Sequence, residues 1–371
     1  MRIRSTLLLA FTLASAPLAA QEPERPSLPR GADTNDWEAY FEAGEARFIQ
    51  FPREATAAFY WASRLDPTRA EPIFARWASF FAVDDGTFES YLREEEFVMR
   101  RSATIANDSL LTRAYYRNPF VHRGLEVGLF VRLGRRLAWD GATNAFVNYG
   151  QGEFQRAAAQ FGRLVRANPE RNVRLRHYRA LALVGAQEPD SAAAEIQELL
   201  QALRSRDESS VQRMYESKAL WEYSLGMLYE RQNRPADAAA AYERALVEDL
   251  AMYPAHAGLG RLAIAAKDTT AALSHLSQAV EAAPGDAVIH YDYGNALLQA
   301  RRPEEALAAY RRALELEPYW ALPYVRVGQM HDMLGRGAEA LVAYREYLSR
   351  APRNQAETIT RVQQRIAALG G

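Results

Sequence analysis

Six histidines, two lysines, scattered carboxylates and no cysteine are what this chain offers for chemistry. The histidines are His122, His177, His256, His275, His290 and His331, and none falls in a His-Glu-x-x-His pair or another short ligand motif. His290 with Asp292 and His331 with Asp332 come nearest, but residues so close in a helix point in different directions and do not converge on one ion. His256 and His290 stand 34 apart, which favours a repeated packing role. Without cysteine there is no thiol nucleophile, thiolate metal site or disulfide. A serine nucleophile would need a base, and neither Gly-x-Ser-x-Gly nor Ser-x-x-Lys occurs. The glycines are dispersed and do not cluster ahead of a helix, so no phosphate-cradling loop is present. Glu94-Glu95-Glu96, Arg135-Arg136 and Arg301-Arg302 read as solvated charged faces. The expectation is a protein that is not an enzyme and carries no metal or cofactor.

What the chain must then do is set by its elements. Its 371 residues are 49% hydrophobic, enough for a large core, and 25% charged. The formal net charge is −1 with both signs interleaved, so no nucleic-acid footprint appears. Only Lys218 and Lys267 of the 45 basic residues are lysines. At the start, Arg2 and Arg4 precede a short apolar run, Thr6 to Ala14, and then Pro17-Leu18-Ala19-Ala20. This pattern predicts a signal peptide over 1–20 cleaved after Ala20, although Leu18 stands where a small residue is usual. The run is far short of the ~20 residues that span a bilayer. Loss of Arg2 and Arg4 leaves a mature net charge of −3. Residues 21–34, with Pro23, Pro26 and Pro29 among charges, predict a disordered linker.

A period of 34 organises the rest. Gly226, Gly260, Gly294 and Gly328 keep it; so do Ala238, Ala272, Ala306 and Ala340, and Pro284, Pro318 and Pro352. In the unit from Ala287 to Trp320, Tyr293, Gly294 and Leu297 share one face of a first helix. Ala306, Tyr310 and Ala313 share a face of a second. Pro303 opens that second helix with Glu304 and Glu305 in its first turn, and Pro318 ends it. Small residues let the backbones approach while Tyr310 fills the gap.

This pattern resembles the tetratricopeptide repeat (TPR), with a small residue at position 8, alanine at 20, an aromatic at 24, alanine at 27 and proline at 32. The resemblance implies an all-α solenoid of antiparallel hairpins, a right-handed superhelix closed by a C-terminal capping helix. On it the chain divides into degenerate hairpins over 35–85, an irregular helical insertion over 86–137, and degenerate repeats over 138–204. Four regular repeats over 205–352 and a cap over 353–371 follow. Ala157, Phe161 and Pro169, and Ala55, Phe59, Ala62 and Pro67, carry the weaker repeats. Tyr347 departs from the second alanine position. Ile359, Val362, Ile366 and Leu369 mark the inner face of the cap.

In that family first helices line a concave groove, and the resemblance places there Tyr223, Ser224, Met227, Glu230, Arg261, Tyr291, Asp292, Asn295, Arg326, Gln329 and Asp332. Such a mixture suits an extended peptide or helix from a protein partner. The positions at which one subclass clamps a C-terminal carboxylate hold Ala257, Arg261, Asp292, Leu322 and Arg326, and only Arg326 agrees. The implied function is an exported protein-interaction scaffold, periplasmic or at the cell surface, with no nucleic-acid partner and no integral membrane segment after cleavage. Two alternatives stand beside it: a small-molecule or catalytic module in 86–137 framed by the repeats, and a self-assembling solenoid.

Overall fold

The computed structural model describes residues 22–83 except 49, then 117–118, 142–208 and 217–370. The predicted leader and nearly all of 86–137 lie outside these residues. Among the described residues all regular structure is helical, and consecutive helices pack as pairs. The chain begins with α1 (Trp37–Arg47), α2 (Pro52–Leu65) and α3 (Ala70–Val83). After the 86–137 stretch come α4 (Thr143–Gly150), α5 (Phe154–Ala167), α6 (Leu175–Gly185) and α7 (Pro189–Glu208). Four 34-residue hairpins follow: α8 (Ala219–Arg231) with α9 (Pro235–Glu248), α10 (Tyr253–Ala266) with α11 (Thr269–Ala282), α12 (Ala287–Gln299) with α13 (Pro303–Leu316), and α14 (Leu322–Met333) with α15 (Gly337–Arg350). A 3₁₀ turn, Arg353–Gln355, leads into α16 (Ala356–Ala368). The array is the all-α solenoid expected. The helix α7 runs to Glu208, across the expected boundary at 205.

Three local devices hold the repeats in register. The first is the glycine and tyrosine pair: the fully buried ring of Tyr242 lies so close to Gly226 and Gly258 that a Cβ on either would approach it to 2.4 and 2.6 Å. Gly294 against Tyr310 and Gly328 against Tyr344 repeat the contact. The second is the turn inside each hairpin, where Asn233, Lys267, Arg301 and Gly335, each 34 after the last, all have positive φ. The third clamps the turns between hairpins. His256, His290 and Tyr324 donate to the carbonyls six residues earlier, of Leu250, Pro284 and Pro318, at 3.2, 2.9 and 3.1 Å. The corresponding residue of the first hairpin, Glu222, is wholly buried and paired with Arg204 and Arg244.

The segment read as a disordered linker is pinned. Arg353 donates its backbone N–H to Asp33 at 2.7 Å, Asn35 donates to the Ser349 carbonyl at 3.1 Å, and Glu22 accepts from Tyr319 at 2.8 Å. Arg64 of α2 pairs with Glu317 at 2.8 Å. The N-terminal hairpin and its leading segment therefore lie on the inter-repeat turns at 316–320 and 349–353. Three prolines prevent a helix here, but they do not prevent extended chain from docking on aromatic rings.

At the other end Val362 is buried against Tyr344 and Tyr347, and the Tyr347 ring that replaces alanine fills the space between α15 and α16. Arg365 of α16 donates to both carboxylate oxygens of Asp332 at 2.5 and 2.6 Å. These bonds hold the Asp332 carboxyl below its ordinary value. A depressed carboxylate contributes stability above its unfolded value that is lost as pH falls through the folded one. The α16 amides should therefore exchange faster with solvent as pH falls below the ordinary aspartate range, after correction for intrinsic rates. Asp332→Asn should flatten that dependence.

Candidate peptide-binding groove

First helices of neighbouring hairpins pack on one another, α8 on α10 and α10 on α12, to a degree that no two second helices do, so these helices, with α14 continuing the series, line the inner side. Along this side the residues expected in the groove form a row of short polar clusters, each bonded within itself. Glu230 accepts from Tyr242 at 2.5 Å and lies 4.0 Å from Arg261. Arg261 reaches Asp292 in the next repeat at 3.5 Å. Asn295 accepts from Tyr310 at 2.8 Å. Arg326 donates to the Tyr291 hydroxyl at 3.3 Å and to Gln329 at 3.1 Å. Asp332 ends the row beneath Arg365 and accepts from Tyr344 at 3.4 Å.

The burial pattern divides these residues. Met227, Glu230, Arg261, Tyr291, Asn295, Arg326, Gln329 and Asp332 are half-buried, with part of each side chain open to solvent. Tyr223, Ser224 and Asp292 are buried and do not present themselves to a ligand. The Tyr223 ring packs 5.6 Å from that of Tyr242, and Ser224 donates to its own helix at Leu220. Burial pushes the Tyr223 hydroxyl up to about 12. Burial also raises the Asp292 carboxyl, opposed by Arg261 and Arg117. Arg261 is held above its ordinary value by Asp292 and Glu230 against the cost of burial, so it stays charged. Tyr291 packs at a tilt against Tyr310 and Trp320, at 5.5 and 4.9 Å between centroids.

One contact was not legible in the sequence. Arg117, from the stretch that fits no repeat register, ion-pairs with Asp286 at the start of α12. Asp286 also caps that helix through Val288 N–H at 3.0 Å and accepts from Tyr253 at 3.3 Å. Pro284-Gly285-Asp286 announces a turn and a cap, but nothing in it announces an arginine from 169 residues away. Among the described residues no group of three or more His, Asp or Glu side chains could hold a metal ion, and no helix is long and apolar enough to cross a membrane.

Two models of the tetratricopeptide repeat match the chain, one over 147–208 and 223–287 and the other over 263–322. These matches agree with the 34-residue period of the hairpins. The chain carries tetratricopeptide repeats over 147–208 and 223–322. Solved structures similar to this TPR chain are TPR proteins too, at low identity. YrrB, described as a TPR protein with an unusual peptide-binding site, is 21% identical over 52% of this chain and 93% of its own, with a TM-score of 0.42. MamA from Desulfovibrio magneticus RS-1 is 19% identical over 49% of this chain and 96% of its own, at 0.42. The C-terminal part of a TPR protein from Cytophaga hutchinsonii is 14% identical over 62% and 92%, at 0.48. No curated protein matches the chain.

Proposed function

We propose that this TPR chain is an exported, non-catalytic interaction scaffold that binds a peptide or helix of a protein partner on its concave side. The observation that supports the reading best is the polar row itself. Glu230, Arg261, Asn295, Arg326 and Gln329 are each half open and each already held by a neighbour. A ligand there meets hydrogen-bonding groups whose side-chain entropy is largely lost beforehand, which lowers the cost of binding. Tyr291 and Met227 supply the apolar anchors such a surface needs. Export rests on the 1–20 pattern and places the partner in the periplasm or at the cell surface. The charge balance argues against a nucleic-acid ligand. End-to-end stacking through the C-terminus is disfavoured, because α16 covers the last hairpin.

The test is capture from a cell-envelope extract with the chain from Gln21 onward, beside the double variant Arg326→Ala and Gln329→Ala. Both side chains are half-buried and peripheral to the core, so the variant should keep its helical circular dichroism. A groove partner should be retained at least about tenfold less by the variant, the loss of one interface hot spot. Equal retention of every partner would overturn the groove reading.

A further inference from the structure

The N-terminal segment binds its own chain in a recognisable way. Pro23, Pro26 and Pro29 recur every third residue, the period of a polyproline II helix; Pro23, Pro26 and Leu28 are half-buried, while Glu24, Arg25, Ser27 and Pro29 are exposed. The segment crosses a cleft whose walls are Tyr40 of α1, Tyr60 and Trp61 of α2, and Tyr319 of the turn between α13 and α14. Trp61 donates its indole N–H to the Pro23 carbonyl at 3.0 Å. The Arg25 guanidinium lies 4.6 Å from the Trp61 ring, 5.4 Å from Tyr40 and 5.9 Å from Tyr319. Glu22 accepts from the hydroxyls of Tyr60 and Tyr319 at 3.0 and 2.8 Å. An indole donor on a proline carbonyl, rings beneath the chain and a stacked cation are how proline-rich segments are recognised.

We infer that this cleft is a second binding site, separate from the groove, for an extended proline-rich segment of a partner protein that carries an arginine. The contacts ask for a Pro-x-x-Pro spacing, a carbonyl toward Trp61, an arginine between the prolines, a carboxylate just before them and an apolar residue just after, so a foreign segment with those features fits as the native one does. The native segment acts as a built-in competitor. Tethered close by, it is present at an effective concentration of about millimolar, and a partner must exceed that to enter.

The test uses a dye-labelled, acetylated peptide of sequence Glu22 to Arg30 and a copy with glutamine in place of Arg25, read by fluorescence anisotropy. The chain from Gln21 is compared with one beginning at Gly31, and with a full-length Arg25→Gln, Leu28→Ala double variant that keeps the segment but weakens its hold. Both altered chains should bind the arginine peptide at least about tenfold more tightly than the unaltered chain. The glutamine copy should bind several-fold more weakly, and so should the arginine peptide when Trp61→Phe is added to either altered chain. Adding Arg326→Ala should change nothing, which separates this site from the groove. The proposal is overturned if neither altered chain binds the arginine peptide while retaining native helical circular dichroism, or if the arginine and glutamine peptides bind alike.

Discussion

Replacing Asp286 by alanine is expected to lower the unfolding free energy of the array around α12 by about 3–5 kcal/mol, the cost of stranding a buried charge. The carboxylate is nearly inaccessible, and among the described residues it caps α12, accepts from Tyr253 and neutralises Arg117, whose side chain is 13% exposed. Without it the guanidinium stays in a buried site with its principal counter-charge gone. Asp286→Asn keeps an acceptor for Val288 N–H and should cost less. Arg117→Met in the Asp286→Ala background should restore part of the loss, since replacing both members of a buried ion pair by apolar groups is often neutral. Hydrogen exchange of α12 amides checks each step, because unfolding of a solenoid need not be two-state. An Asp286→Ala loss under about 1 kcal/mol would mean that Arg117 does not depend on this carboxylate.

The second large effect belongs to Tyr242. Its ring is fully buried between two hairpins, against Gly226 and Gly258, and its hydroxyl reaches Glu230. Tyr242→Ala should cost about 3–5 kcal/mol in urea unfolding, the range for emptying a buried aromatic site. Tyr242→Phe removes only the hydroxyl and should cost about 0.5–1.5 kcal/mol. From the other side, Gly226→Ala should cost about 1–3 kcal/mol, because its new methyl meets a ring that has no room to retreat. If Gly226→Ala were neutral, the tight helix approach would not be what sets the hairpin spacing.

How much of this could be read beforehand follows from what repetition can reveal. Gly294, Ala306, Tyr310 and Pro318 were legible because each recurs at one spacing, the glycine and alanine four times and the tyrosine and proline three. The groove residues followed from that register, but their burial did not. Tyr223 and Asp292 share an address with Tyr291 and Arg326, yet the Tyr242 ring and the Arg261 guanidinium draw them inward. Lys267 and Arg301 hide a left-handed turn position because neither is a residue type that announces one, whereas Asn233 and Gly335 do. The contacts between Glu22 and Tyr319, Asp33 and Arg353, and Arg117 and Asp286 join residues 169 to 320 apart in the chain. Each occurs once, so no periodicity marks it. The prolines of 22–30 were read as preventing a helix, which they do, but their three-residue spacing also suits them to an aromatic cleft.

The central claim, that the inner face of α8, α10, α12 and α14 receives a partner, is tested most directly by hydroxyl-radical footprinting of the chain from Gln21 with and without a partner captured from the envelope. Methionine and tyrosine are reactive probes, and Met227 and Tyr291 lie half open on that face. Binding is expected to protect Met227 and Tyr291 while the exposed Met333 stays as reactive as before. Unchanged reactivity at Met227 and Tyr291 with protection elsewhere would contradict it.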